Sequence, residues 1–575
     1  MTNQDIAKIL YELSTLLEIK EVPFKPRAYE KAAMSIEELD ENLKDIYKKD
    51  GRKGLDAIPS VGVSIAEKIE ELLKTGKLKY YQKLKKGFPV DIVGMTRIEG
   101  LGPKTIAELY KKLKIKNLKE LERAAKSGKI EKIAGFGKKT EENILSGMEF
   151  VKKNHGRMLL SEALPLAKNI IKQLKKTGIT ERIAVAGSIR RMQETIGDID
   201  IVATSKTPKK LISAFTKLPE VEHIKLKGAT RSSVRLRIGI DADLRVVASG
   251  IFGATLQYFT GDKQHNIAVR KIAIKKGYKL NEYGLFRNKK IIACKTEEEI
   301  YKKLGMDTPP PEIRINEGEI EAAQKHNLPK LVGYNDIKGD LQMHTKWSDG
   351  SKSILEMAEE AKKMGYKYIA ITDHTKTLAV ANGLDENGLA KHSREIDKIN
   401  KKIKGLHIFR SAEVNIMKDG SLDIKNEALK KLDIVSAAVH SNFKMSNAEM
   451  TKRIIHAMQN PYLNILFHPT GRVIGRRPGY ELDIDEIIKA AKKYGVILEI
   501  DAHANRLDLK DEYIKKAVKA GIKLSIDTDA HNEKHLEYMR LGIGQARRGW
   551  AKKSDIINTK SADELLKMLK KLKRK

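Results

Sequence analysis

The chain has 575 residues, too many for one hydrophobic core, and two to four domains are expected. Its 111 Lys and Arg against 76 Asp and Glu leave a formal charge of +35; a thermophile's lysine-rich surface balances its acids, so the surplus points to a polyanion such as nucleic acid. The single cysteine, Cys294, excludes an intrachain disulfide and fits a reducing compartment; no apolar run is long enough to span a membrane, and the N-terminus lacks a basic-then-apolar leader, so a soluble cytoplasmic protein is expected.

Residues 3–86 read as short helices, with apolar spacing at Ile6, Ile9, Leu10, Leu13, Leu16 and Leu17. Three glycine-bearing hairpins follow: 58–69 around Gly62, 98–107 with Gly100 and Gly102, and 133–140 with Gly135 and Gly137. Each leads into a helix opening with Lys, Ser or Thr, where exposed amides can hold a backbone phosphate without reading a base. One copy is an ordinary helical hairpin as readily as a site; three in a basic segment point to sequence-independent DNA binding. Lys68 lies on the helix after the first hairpin. A lone surface lysine is a solvated charge, and it becomes a Schiff-base nucleophile only where burial or neighbouring cations depress its pKa.

The stretch 187–200, GSIRRMQETIGDID, carries the densest chemistry. Residues 183–186 read as a buried strand and Gly187-Ser188 as a tight turn. Asp198 and Asp200 alternate with Ile199 and Ile201, so on a strand both carboxylates share one face and repel unless divalent cations lie between them. Gly187, Ser188, Arg190 and Arg191 supply amides, a hydroxyl and guanidinium charge that suit a triphosphate. A second strand pair, 233–247, puts Asp241 and Asp243 on one face; Asp243, set in the β-branched run, is the expected third ligand. Next come Tyr258, Phe259 and Gly261, then a helix with Asn266 and Arg270 four apart on one face, then NEYGLF at 281–286. The stretch 307–334, opening on a proline run, reads as a stiff linker.

Residues 1 to about 315 resemble family X DNA polymerases, the group that includes DNA polymerase beta. The motifs GSIRR, GDID, DLRVV, YFTG and NEYGLF carry the resemblance, with the IAEKI hairpin upstream. It implies a lyase-like domain (1–86), fingers (87–150), a nucleotidyltransferase palm (151–249) and a thumb (250–315). It also implies that Asp198 and Asp200 bind two metal ions, Mg²⁺ or Mn²⁺, and that Asp243 binds the one activating the primer 3′-hydroxyl. Ser188, Arg191 and Gly197 would hold the triphosphate, Tyr258, Phe259 and Gly261 the sugar side, and Asn266 and Arg270 the nascent pair. Lys68, beside Tyr29 and Lys25, would be the 5′-deoxyribose-phosphate lyase nucleophile, although Ser64 stands where the family often has another lysine.

From Asp340 on, short apolar strands alternate with amphipathic helices, as in βα units. Their ends carry the chemistry: Gln342, His344 and Asp349 after the first, then His374, Glu413, His440, His468, and finally Asp529 with His531. In a βα barrel these ends converge at one mouth. One strand-end histidine is ordinarily a hydrogen-bonded core residue, but half a dozen strands ending this way call for metal. Imidazole with carboxylate and no thiolate suits Mn²⁺, Zn²⁺ or Fe²⁺. This half (339–575, after a linker at 316–338) resembles the polymerase and histidinol phosphatase (PHP) domain, which implies a distorted (βα)7 barrel holding up to three metals. The family opens with His-x-His, and here Gln342 takes the first place, leaving only an amide oxygen as ligand. His503, Asn505 and Arg506 also sit at a strand end, outside the ligand set.

The fold expected is therefore multidomain α/β: helical helix-hairpin-helix domains, a mixed-sheet palm, a thumb and a barrel. The function expected is a monomeric polymerase filling short gaps in DNA repair, acting on gapped or primed DNA with dNTPs, with 3′-5′ exonuclease and abasic-site nicking in the barrel. Three other readings are a template-independent or RNA-end nucleotidyltransferase, a barrel acting as a phosphatase or structural metal module, and a basic DNA-packaging protein.

Overall fold

The computed structural model describes residues 1–575 except 2, 38, 40, 59, 97, 99, 100, 134, 139, 143, 146, 147, 149–155, 379, 380, 574 and 575. Contacts divide the chain into two units, 1–155 with 475–477 and 156–474 with 478–575. No helix among the described residues is long and apolar enough to cross a membrane.

The first unit is helical. Helix Asn3–Ile19 turns Ile6, Leu10, Leu13, Leu16 and Leu17 inward, the face its spacing dictates. Those side chains share one apolar cluster with Tyr29, Ile65, Ile106 and Phe136. Gly62 and Gly102 are the N-caps of helices Val63–Thr75 and Pro103–Leu113, with no capping side chain. A Cβ at Gly62, Gly102, Gly135 or Gly137 would meet nothing within 4 Å. These glycines thus answer to no packing demand at their Cα; they leave open backbone at a helix start, and Gly135 alone takes a left-handed φ of +92°. Gly100 lies outside the described residues.

The second unit begins with a small ribbon, β1 (Met158–Leu159) against β3 (Thr195–Ile196). Its main sheet, in spatial order, is β2 (Arg182–Val185), β4 (Asp198–Thr204), β7 (Asp241–Val247), β6 (Arg231–Leu236) and β5 (Val221–Lys227). Only β4 and β7 run parallel, so the sheet is mixed. Along β7 burial alternates strictly: Ala242, Leu244 and Val246 enter the core while Asp241, Asp243 and Arg245 take the other face. That core also receives Leu507 and Leu541 from the C-terminal half. A second, three-stranded sheet, β8 (Lys279–Asn281), β9 (Gly284–Arg287) and β10 (Lys290–Ala293), packs with helix Lys263–Lys275 around Val269, Leu285 and Ile300.

The stretch 307–334, read as a stiff linker, packs against its surroundings. Ile313, Ile320, Ala323 and Val332 are buried, and Arg314, 1% exposed, pairs with Glu297 at 2.5 Å. Its apolar residues are too sparse to show a period in sequence, and the buried ion pair is non-local.

Seven strand positions form the barrel. They are β11 (Gly339–Asp340), β12 (Tyr368–Ile371), a strand broken into β13 (His407–Arg410) and β14 (Glu413–Asn415), β15 (Ser436–Ala438), β16 (Ile465–Leu466), β17 (Ile497–Asp501) and β18 (Leu524–Asp527). All pair in parallel, β11-β12-β13 and β14 through β18, and the bridges His374–Glu413 and Met343–Ala530 join the two sheets. Tyr368, Phe409, Ile465 and Ile497 fill the inside together with Leu565 and Leu569 of the last helix, Ala562–Lys573. The apolar outer face, including Ile369, Ile371 and Ile526, packs on the helices.

Candidate functional site: a carboxylate trio in the palm and a histidine–carboxylate cluster in the barrel

Parallel pairing of β4 with β7 sets Asp200 opposite Asp243 and Asp198 opposite Asp241. Asp241 is engaged elsewhere, 2.7 Å from Lys225 and 3.0 Å from Arg235. Asp243 has no such partner among the described residues, and its Oδ1 is buried without a hydrogen bond. Burial, then the Asp198 and Asp243 carboxylates, push the Asp200 carboxyl up to about 7. Asp198 is raised by burial and by Asp243. Such a trio, with an orphaned oxygen, fits divalent cations: they would relieve the repulsion that otherwise holds a proton there.

The turn before β4 is shaped around the same acid. Gly187 takes a φ of +58°, and a Cβ there would lie 2.2 Å from Asp200 Oδ2; only glycine lets the turn come so close. The Ser188 hydroxyl is buried and unpartnered. Arg190 and Arg191 divide their work. Arg190 forks onto Glu297 at 2.6 and 3.0 Å and reaches Thr260 Oγ1, so it serves packing. Arg191 donates to the Thr260 carbonyl at 2.5 Å and keeps its Nε free. Gly197 lies against Arg157, whose Nη1 a Cβ would approach to 3.2 Å.

Tyr258 and Phe259 close helix Phe252–Thr260 with rings 5.2 Å apart, edge to face, and Arg245 covers Phe259 at 4.4 Å. Asn266 donates to the Tyr258 and Gly261 carbonyls at 2.7 and 3.3 Å, which locks the start of the next helix onto that segment. A Cβ at Gly261 would strike Asn266 Oδ1 at 2.8 Å. Arg270 is half-buried one turn further on.

At the barrel mouth the strand ends converge on Glu413. Its two oxygens take His468 at 2.8 Å, His440 at 3.1 Å, and His344 and His374 at 3.3 Å each. His344 also meets Asp529 at 3.1 Å, while Asp349 lies 3.5–3.8 Å from His344, His374 and His531. The donors fall into three overlapping groups within 4.8 Å: His344, Asp349, His374 and His531; His374, Glu413 and His440; His344, Glu413 and Asp529. Both His344 ring nitrogens, His374 Nδ1, His468 Nδ1 and Glu413 Oε2 are buried without hydrogen bonds, a donor set that fits metal ions. Burial opposes charge here, yet the imidazoles of His531 and His374 hold Asp349 below the usual carboxylate range. Burial likewise pulls on His531, but Asp349 outweighs it and lifts the imidazole to about 9.

Gln342 stands apart. With its amide assigned so that the nitrogen faces Glu499, it donates to the two carboxylate oxygens at 2.5 and 3.3 Å, which leaves only its oxygen as a ligand atom. Two supporting residues lie outside the expected ligand set: Asn415, which the sequence did not single out and whose Oδ1 meets His440 Nδ1 at 2.7 Å, and the strand-end Asp373 beside His374. The latter takes Thr345, Ser348 and His392 at 2.6, 2.6 and 3.0 Å and fixes the loop carrying His344 and Asp349. An amide two residues past a strand-end ligand was the available signal for the first.

In the first unit, Lys68 lines a cavity of about 760 Å³ with Lys25, Tyr29, Ser64 and Tyr80. Lys68 Nζ bonds Ser64 O and Oγ at 2.9 and 3.0 Å, and burial, with Lys25 beside it, lowers its pKa.

Together these sites fit an enzyme of phosphoryl-transfer type, with a carboxylate trio on a mixed sheet and a histidine–carboxylate cluster at a barrel mouth in one chain. Comparison with known proteins matches residues 1–78 to a helix-hairpin-helix domain and 93–148 to a SAM-like helix-hairpin-helix tandem. Residues 255–315 match the DNA polymerase beta thumb and 340–503 the PHP domain. The DNA polymerase/3′-5′ exonuclease PolX of Bacillus subtilis (strain 168) is 36% identical over 575 residues, covering 99% of this chain and 100% of that protein. A probable phosphatase of Thermoanaerobacter sp. (strain X514) is 40% identical over 166 residues, 28% of this chain and 63% of that protein. A probable phosphatase of Caldanaerobacter subterraneus subsp. tengcongensis is 36% identical over the same length, 28% and 61% of the two chains. The chain belongs to the family X DNA polymerases that carry a PHP domain.

Proposed function

We infer that the chain is a DNA-directed DNA polymerase with a 3′-5′ exonuclease, filling short gaps in DNA repair in the cytoplasm as a monomer. The observation that carries the reading is the facing of Asp198, Asp200 and Asp243 beside the Gly187–Arg191 turn. In the palm those three carboxylates would hold two Mg²⁺ or Mn²⁺, which neutralise charge on the entering and leaving oxygens. Ser188, Arg191 and the amides of the turn bind the phosphate tail of a dNTP, with Gly197 at its edge. Tyr258, Phe259 and Gly261 bound the sugar, and Asn266 and Arg270 face the nascent pair. The open amides at Gly62, Gly102, Gly135 and Gly137 hold the DNA backbone.

In the barrel Gln342, His344, Asp349, His374, Glu413, His440, His468, Asp529 and His531 would hold up to three Mn²⁺, Zn²⁺ or Fe²⁺, supplying an activated water for phosphodiester hydrolysis. Lys68, depressed in pKa within its cavity, suits attack on a 5′-deoxyribose phosphate. A gapped-duplex assay tests the whole reading. Asp198→Ala with Asp200→Ala abolishes extension and leaves 3′-end degradation, and His344→Ala with His468→Ala does the reverse. Extension surviving the first pair sinks the palm assignment. The likeness of a 166-residue part of the chain to probable phosphatases supports a second reading, a phosphomonoesterase in the barrel; faster release from p-nitrophenyl phosphate than from a 3′-labelled single strand selects it.

A further inference from the structure

Arg506 differs from the other partly or fully buried arginines of the barrel half. Arg410 forks onto Asp433, Arg453 is bonded to the Met417 and Ser441 carbonyls, Arg472 to Glu194, and Arg547 to Glu312 and the Val332 carbonyl. Those are arginines that hold the fold. Arg506 has no hydrogen bond from its side chain among the described residues. It approaches two buried carboxylates, its nearest atom in each case Nε, Asp501 at 3.5 Å and Asp529 at 3.7 Å, both beyond good bonding geometry. Its side chain is 23% exposed, and neither terminal nitrogen is among the buried, unpartnered atoms, so both reach solvent. Asp529 in turn contacts His344 at 3.1 Å in the donor group shared with Glu413. A guanidinium is thus held beside the cluster by two buried acids, its terminal nitrogens reaching solvent and making no hydrogen bond among the described residues.

We propose that Arg506 contacts the substrate in the nuclease site, its two terminal nitrogens taking the non-bridging oxygens of the phosphodiester beside Asp529. A planar fork matches a phosphate in two-point contact, and a lysine in its place supplies charge without that match. Asp501 and Asp529 fix the fork's position, and Arg506 exchanges no proton in the reaction. The inference rests on the exonuclease reading above.

The test uses the full chain loaded with Mn²⁺ and two variants, Arg506→Lys and Arg506→Gln. The lysine keeps a cation beside the two buried acids and so protects folding. Thymidine 5′-monophosphate, a phosphate-bearing probe, is titrated by calorimetry; the palm contributes equally to all three proteins, so differences read the barrel. The expected result is about tenfold weaker binding in Arg506→Lys and a larger loss in Arg506→Gln, with bound Mn²⁺ and melting temperature unchanged and 3′-end degradation falling through KM in Arg506→Lys. Unchanged binding overturns the proposal. So does a loss that tracks Mn²⁺ content or melting in both variants, since that marks a residue acting only on the fold. If the wild-type chain itself degrades no 3′ end, the exonuclease reading fails instead.

Discussion

In the palm, Asp198, Asp200 and Asp243 stand together with no cationic side chain at ion-pair distance among the described residues, whereas in the barrel every acid of the cluster faces imidazole. The two clusters handle crowded charge in opposite ways. In the palm, burial and the neighbouring carboxylates push Asp200 up to about 7; in the barrel, Asp349 lifts His531 against its burial to about 9. An all-carboxylate trio is a donor set for hard cations, while imidazole interleaved with carboxylate is one for borderline transition metals.

The contrast is broken most sharply by removing one palm acid. Asp200→Asn should lower primer extension by at least ~10³-fold and leave 3′-end degradation as in wild type; a loss of both means that the two sites are not separate. Gly187→Ala comes next. Its Cβ would collide with the Asp200 carboxylate in a left-handed turn, so extension should fall by about 10–100-fold through misplacement of the acid, read by single-turnover incorporation. Smaller effects appear in melting without metal. Because folding raises the Asp200 pKa from 3.8 to about 7, its charge costs the folded state stability that grows as pH rises through that window. In EDTA, Asp200→Asn should melt level with wild type at pH 4 and about 2–4 °C above it at pH 8; a pH-independent difference refutes the shift. The barrel should show a weaker effect. The His531–Asp349 pair adds stability that is complete below about pH 6.5 and lost as pH climbs through about 9. His531→Asn should therefore melt about 1–2 °C low at pH 6 and level at pH 10.

Much of this was legible from spacing. The alternation of Asp198 and Asp200 with Ile199 and Ile201 survives intact in β4, and the strand-end histidines do converge, because a parallel barrel places all its carboxyl ends at one mouth. What periodicity could not decide was settled by non-local partners. Asp241 and Asp243 share a face in sequence and in structure; Lys225, from a different strand, occupies the first of them. Arg190 and Arg191 are adjacent and look alike, yet Glu297, more than a hundred residues on, draws the first into the fold. The proline run read as a spacer is held down by a buried Arg314–Glu297 pair that no local pattern announces. Arg506 was visible only as a charge near a strand end, since its companions Asp501 and Asp529 lie on neighbouring strand ends.

Leu507, the residue after Arg506, and Leu541 complete the palm's apolar core from the barrel side. Arg472 spans the same seam, binding Glu194 and the Leu507 carbonyl. Cutting the chain before the barrel would therefore strip greasy surface bare on both fragments. Neither catalytic half is a module that evolution or a protein engineer can lift out cleanly, and any lineage that discarded the nuclease chemistry would be expected to keep the barrel as scaffolding.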